Sequence, residues 1–194
     1  MADSKDPILL DFPESFETER LLIRAPLWGD GVSMNEAIRE SIDELRPWMA
    51  FAQVVIPTLE ESEKVTREGR LEFLKRYKLH MRIFRRDTEG FIGCISLHHL
   101  NWELRNFEIG YWIRSACAGK GYMTEAVNGI TNFAIRELGV NRLEIFCSER
   151  NTKSAAVAER AGFTLEGMLR SASLGYDGER HDNKLFAKVR GIEF

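Results

Sequence analysis

Hydrophobic and polar positions recur along the chain with two periods, and these divide it into strands and helices. Residues 20–25 read as a strand stopped by Pro26. Asp30 is placed to cap a helix carrying Val32, Ala37, Ile38 and Leu45, which Pro47 ends. Thr58 and Glu61 have capping-box spacing and open a second, highly charged helix whose apolar residues are Val65, Leu71, Phe73, Leu74 and Tyr77. Residues 82–86, 91–98 and 105–114 predict three strands, the first two paired antiparallel through the turn Asp87-Thr88-Glu89-Gly90. A helix follows in which Met123, Ala126, Val127, Ile130, Ala134 and Leu138 recur at three-to-four spacing, with Gly139 as its C-cap. Residues 142–148 predict a strand and 152–161 a helix ended by Gly162. Residues 164–174 and 180–190 predict a hairpin around Tyr176-Asp177-Gly178-Glu179.

This order predicts an α/β chain of the α+β kind: a mixed, mostly antiparallel sheet of about seven strands with about four helices on both faces. At 194 residues and 44% hydrophobic content, it is long enough for one domain with a substantial core. That domain is expected over residues 16–194. Residues 1–15, with Pro7, Pro13 and several acids, are expected to form a flexible leader.

The stretch with most chemistry is Tyr111-Trp112-Ile113-Arg114-Ser115-Ala116-Cys117-Ala118-Gly119-Lys120-Gly121-Tyr122-Met123-Thr124-Glu125-Ala126, where a strand runs through a glycine loop into a helix. Glycines permit close backbone approach, and the free amides and positive dipole of a helix start favour an anion such as phosphate. Two familiar phosphate loops do not fit. The nucleoside-triphosphate loop requires Ser or Thr after its lysine, where Gly121 stands, and the dinucleotide fingerprint requires Gly or Ala at Thr124.

The net charge is -3 and no long basic run occurs, which argues against a nucleic-acid partner and mildly favours a cationic or amine one. Cys94, Cys117 and Cys147 lack metal-ligand spacing and cannot all pair, so a reducing, cytoplasmic setting and no metal are expected. No apolar run approaches a membrane span, and residues 1–13 lack the pattern of a secretory signal, so no membrane partner is expected.

Several landmarks together resemble the GNAT acetyltransferase superfamily, in the form of the ribosomal-protein N-terminal acetyltransferases. They are Thr18-Glu19-Arg20-Leu21-Leu22-Ile23-Arg24, Ile109-Gly110-Tyr111-Trp112-Ile113, Gly119 through Ala126, and Asn151-x-x-Ser154 leading to Ala161-Gly162-Phe163, in the family's order over roughly 17–190. Ala118 departs from the glutamine or arginine common at the head of the loop. The resemblance implies a GNAT-like fold and an acetyl-CoA-dependent N-acetyltransferase, with the cofactor where strands 105–114 and 142–148 splay apart. Acetyl would pass directly to a primary amine. The acceptor is left between a ribosomal or other protein N-terminus and a small amine such as a polyamine, amino acid or aminoglycoside. A homodimer is compatible, and a catalytically silent acyl-CoA sensor is the alternative of another class.

Site residues follow from the resemblance and the pattern. Gly119, Lys120, Gly121, Tyr122, Met123 and Thr124 are expected at the pyrophosphate, chiefly through their amides, with Lys120 as an electrostatic aid. The resemblance implies that the backbone of Trp112 and Ile113 binds pantetheine in the manner of an added strand. It also implies that Asn151 assists there and that Ser154 lies near the sulfur as proton donor to the leaving thiolate. Glu108 is the candidate general base, because alternation puts it beside Gly110, which leaves room for the thioester. Partial burial there is expected to raise its pKa. The glutamate some relatives carry after Gly167 is replaced by Ser173. The segment Arg46 to Phe51 resembles the acceptor wall, with Trp48 and Phe51 as substrate-binding candidates.

Overall fold

The computed structural model describes residues 6–53 and 55–194. Its strands are β1 (Ser15–Glu17), β2 (Leu21–Arg24), β3 (Leu79–Arg85), β4 (Phe91–Asn101), β5 (Asn106–Ile113), β6 (Arg142–Ser148), β7 (Thr164–Leu174) and β8 (Arg180–Val189). Its α-helices are α1 (Gly31–Glu40), α2 (Ile42–Leu45), α3 (Ala50–Gln53), α4 (Leu59–Leu74), α5 (Tyr122–Glu137) and α6 (Thr152–Arg160). All eight strands form one mixed sheet in the order β1-β2-β3-β4-β5-β6-β8-β7. The eighth strand is β1, which lies at the edge of the expected leader, and two of the extra helices are single turns around Pro47.

Residues 6–15 were expected to be loose, yet they are tied to the body. Phe12 makes edge contacts with Phe73 and Phe133, and Arg76 donates to the Leu10 carbonyl. The leader expectation for residues 1–5 lies outside the described residues.

Every neighbouring pair is antiparallel except β5 and β6, whose parallel pairing requires the crossover that α5 supplies. Met123, Ala126, Val127, Ile130 and Ala134 are buried along one face of α5, as their spacing predicts. This helix packs with Leu21, Ile23, Phe107, Ile109 and Leu143 in one core, while Met34, Ile38, Leu45, Phe84, Phe91 and Trp112 form a second. Strand β5 divides between them by alternation: Phe107 and Ile109 enter the first core and Trp112 the second.

Two local expectations are corrected. Asp30 stands at the start of α1 without capping it, because its carboxylate accepts both guanidinium nitrogens of Arg24 at 2.7 Å and the Leu27 amide at 2.8 Å. Glu63 of α4 accepts the Gly29 and Gly31 amides instead. The buried face of α4 is Ser62, Thr66, Gly69 and Phe73, whereas Val65, Leu71 and Leu74 face outward. Asn35 donates to Ser62 Oγ at 2.9 Å and to the Pro57 carbonyl at 2.7 Å, so α1 and α4 meet through small and polar groups that a hydrophobicity count overlooks. The Thr58–Glu61 capping box is fully formed.

Gly93 of β4 faces the Trp112 carbonyl closely enough that a Cβ would overlap it. Gly93→Val is expected to destabilise the protein by about 1–3 kcal/mol through overpacking. Chemical denaturation that left the unfolding midpoint unchanged would show that β5 gives way instead.

Candidate active site

Strands β5 and β6 pair only at Asn106–Arg142, Phe107–Leu143 and Glu108–Glu144. Beyond Glu108 they diverge, and residues 109–113 have no strand partner on that side among the described residues. An exposed strand edge in the middle of a sheet is a ready template for an extended ligand. Its side chains are already committed: Trp112 is buried against Phe91 and Phe51, and Ile113 packs against the first core. At Trp112 and Ile113 the backbone is left to face the gap.

At the end of β5 the chain makes a short 3-10 turn over Ser115–Cys117 and enters the glycine loop. Gly119 and Gly121 take φ of +74° and +80°, left-handed values that glycine adopts without strain. Among the described residues, the amides of Gly119, Lys120, Gly121, Tyr122, Met123 and Thr124 have no acceptor within the protein, while the next, Glu125, bonds back to the Gly121 carbonyl. A helix start alone leaves four amides free, so the loop adds two. Six consecutive donors and the dipole of a four-turn helix make an anion cradle.

Lys120 does not extend toward that cradle. Its Nζ donates to the Ala116 carbonyl at 2.7 Å and closes the loop on itself. Arg20, to which the sequence pattern assigned no role, donates to the Lys120 carbonyl at 3.0 Å, pairs with Glu125 at 2.6 Å and lies 4.6 Å above the Tyr122 ring. Thr18 also donates to Glu125, at 2.6 Å. The loop is thus held from the turn between β1 and β2, a long-range arrangement that local spacing does not reveal. Met123 is buried beneath it and Tyr122 half-buried.

Two cavities meet beside the splayed strands. One, of about 430 Å³, runs between β5 and α6 and includes Trp112, Ile113, Ala118, Met123 and Lys153. The other, of about 340 Å³, lies toward the β7–β8 hairpin and includes His98, Glu108, Cys147, Ser173 and Asn183. Pro47, Trp48, Met49, Tyr111, Asn151 and Ser154 line both. Trp48 is therefore a shared wall, whereas Phe51 lines neither and stacks toward Trp112 with ring centres 6.1 Å apart.

At the junction Asn151 caps α6, its Oδ1 accepting the Ser154 amide at 3.0 Å. Ser154 Oγ lies 3.0 Å from the Tyr111 hydroxyl, which also reaches the Ser154 carbonyl at 3.1 Å. No tyrosine lies in residues 152–160, and this one arrives from β5. Burial pushes the Tyr111 phenol up to about 12, keeping it protonated at neutral pH. Burial likewise raises the Cys147 thiol, which fits a small core residue. Ser173 donates to Asn183 Oδ1 at 2.9 Å.

Glu108 is the last residue of β5 paired with β6. Its two carboxylate oxygens are held by His98 Nε2 at 2.9 Å and His99 Nδ1 at 2.7 Å. Its expected pKa shift is reversed. Burial pushes the carboxyl up, but the hydrogen bonds and charge of His98 and His99 outweigh it and leave the group below the ordinary value. Gly110 does not leave open space either, since a Cβ there would lie 2.6 Å from His98 Cε1. The imidazole takes the room expected for a thioester.

Residues 20–164 match the model of the acetyltransferase (GNAT) domain, three quarters of the chain. The chain belongs to the GNAT acetyltransferase family. It is an N-acetyltransferase by that membership and by its relatives. The ribosomal-protein-serine acetyltransferase of Escherichia coli (strain K12) is 30% identical over 143 residues, covering 73% of this chain and 75% of its own. Bacillus subtilis (strain 168) YdaF, provisionally named a ribosomal N-acetyltransferase, is 32% identical over 165 residues, covering 84% and 88%. Among solved structures, the ribosomal L7/L12 α-N-protein acetyltransferase in complex with coenzyme A superposes with a TM-score of 0.84 at 24% identity over 91% of this chain and 98% of that one. At that identity the likeness concerns the fold. Among the described residues no helix is long and apolar enough to cross a membrane.

Gly121→Ala is expected to cost about 1–2 kcal/mol, because an alanine at φ +80° clashes with its own carbonyl and meets the Arg20 guanidinium. A melting temperature equal to that of the parent would mean that the loop adopts another conformation.

Proposed function

We propose that this GNAT enzyme uses acetyl-CoA as donor and acetylates a primary amine, the α-amino group of a ribosomal or other protein N-terminus. The observation that carries the reading is the meeting of two cavities at Tyr111, Asn151 and Ser154, one beginning near the amide cradle and the other holding a fixed carboxylate. A transfer between two substrates needs two approaches to one point. The free amides of residues 119–124 suit the pyrophosphate. The open edge of β5 at Trp112 and Ile113 suits the amides of pantetheine, with Asn151 beside it.

In this reading the acceptor enters past Trp48 and Glu108 takes the proton of its ammonium. The freed lone pair attacks the thioester carbon, the carbon–sulfur bond breaks, and the coenzyme A thiolate leaves toward Ser154. Ser154, its hydroxyl fixed by Tyr111, hydrogen-bonds that sulfur, and the second proton lost by the amine nitrogen passes through it to the thiolate. No covalent enzyme intermediate is required. The relatives' names support this acceptor class: one is named a ribosomal-protein-serine acetyltransferase. A peptide terminus also suits a cavity whose polar lining is spread over β5, β6, β7 and β8.

Acetyl-CoA at a hundred times its Kd is expected to stabilise the folded state by about 2.7 kcal/mol, and ATP or NAD at equal concentration far less. Equal thermal shifts with all three would remove the donor assignment. Glu108→Gln is expected to lower kcat by roughly a hundredfold or more with little change in the KM for acetyl-CoA. Undiminished turnover would dismiss Glu108 as base. Thiol release measured across N-terminal peptides and small amines identifies the acceptor, and turnover confined to polyamines or aminoglycosides would displace the protein terminus.

A further inference from the structure

In a regular strand His98 and His99 would project from opposite faces, and only one would reach Glu108. Strand β4 is not regular there. His98 stands directly opposite Glu108, the register then shifts before Asn101, and His99 takes φ of +49°. A left-handed backbone costs a non-glycine residue about 1–3 kcal/mol and persists only where its surroundings impose it. The bulge sets two residues of one strand against one of the next and turns both rings to the same side.

As a result a ring nitrogen of each histidine and a Glu108 oxygen lie within 4.8 Å of one another, with His98 Nε2 and His99 Nδ1 already on the carboxylate. We infer that these side chains form a binding site for a divalent transition ion, Zn²⁺ being the one their ligand set fits. Two imidazoles and a carboxylate with one position open is a common zinc arrangement, and the absence of thiolate leaves the site open to exchange. Tetrahedral ligands about 2.1 Å from the ion stand roughly 3.4 Å apart, so the triangle needs only small rotations. His99 can supply them, its side chain being 78% exposed against 19% for His98 and 16% for Glu108. Ser96 Oγ stands 3.5 Å from His98 Nδ1 and marks the outer partner that would leave Nε2 for the ion.

An ion there would take the oxygens that the acceptor ammonium needs, at the wall of the acceptor cavity that His98 and Glu108 form. Zn²⁺ would then inhibit acetyl transfer reversibly. That consequence rests on the reading of Glu108 as base, whereas the binding itself does not.

The test uses full-length protein stripped with EDTA, titrated with Zn²⁺ by calorimetry and with Co²⁺ by visible absorption. Uptake with a tetrahedral cobalt spectrum free of sulfur charge transfer is expected, and His99→Ala should weaken Zn²⁺ affinity by about a hundredfold. Acetyl transfer by the parent should fall with added Zn²⁺ and return with EDTA. Absence of uptake, a thiolate spectrum, or equal affinity in His99→Ala would overturn the site. If the metal-free Glu108→Gln variant turns over normally while the parent alone binds Zn²⁺ tightly, the base assignment fails and the metal site stands.

Discussion

The chain depends on one interruption: the parallel ladder between β5 and β6 ends after three residue pairs. Backbone amides and carbonyls in the middle of a sheet are normally paired, and leaving them open is costly unless water or a ligand satisfies them. The interruption also determines where the other groups fall. Glu108 is the last residue before the strands part, the loop amides start where β5 ends, and Asn151 and Ser154 follow the far end of β6. A continuous ladder would close the gap and separate the two cavities from their common wall.

Around this gap the side chains are arranged so that few need to move. Trp112 and Ile113 are spent on packing, and Lys120 closes its own loop. Arg20, from the turn before β2, and Glu125 of α5 brace the cradle, and the donors it offers are uncharged backbone amides. The loop therefore relies on dipoles, and the positions whose side chains matter most are the two glycines with positive φ. Tyr111 does similar work at the junction, kept neutral by burial and fixed to Ser154.

The parts of this arrangement legible in the sequence are those encoded locally. The buried stripe of α5, the Thr58 capping box and the turn glycines announce themselves within a few residues. The parts that were missed depend on pairing across distance. The inward face of α4 is small and polar because it meets Asn35 and Gly31 of α1, not because of its own hydrophobic period. Tyr111 reaches Ser154 from another strand, and Arg20 reaches the loop across about a hundred residues of chain. A strand reading of residues 91–98 also ends one residue short of His99, where the bulge lies.

That bulge explains why the pKa of Glu108 moved against expectation. Alternation supplied a half-buried glutamate, and burial by itself pushes a carboxyl upward. Two ring nitrogens against its two oxygens reverse the sign, since a charge-assisted hydrogen bond is worth about 1.5–3 kcal/mol. The carboxylate is thereby held toward its ionised form and oriented, as the proposed proton acceptor must be before its substrate arrives. The same convergence of two nitrogens and an oxygen that orients the proposed base also describes the corner of a metal polyhedron, so the two proposals rest on one geometry.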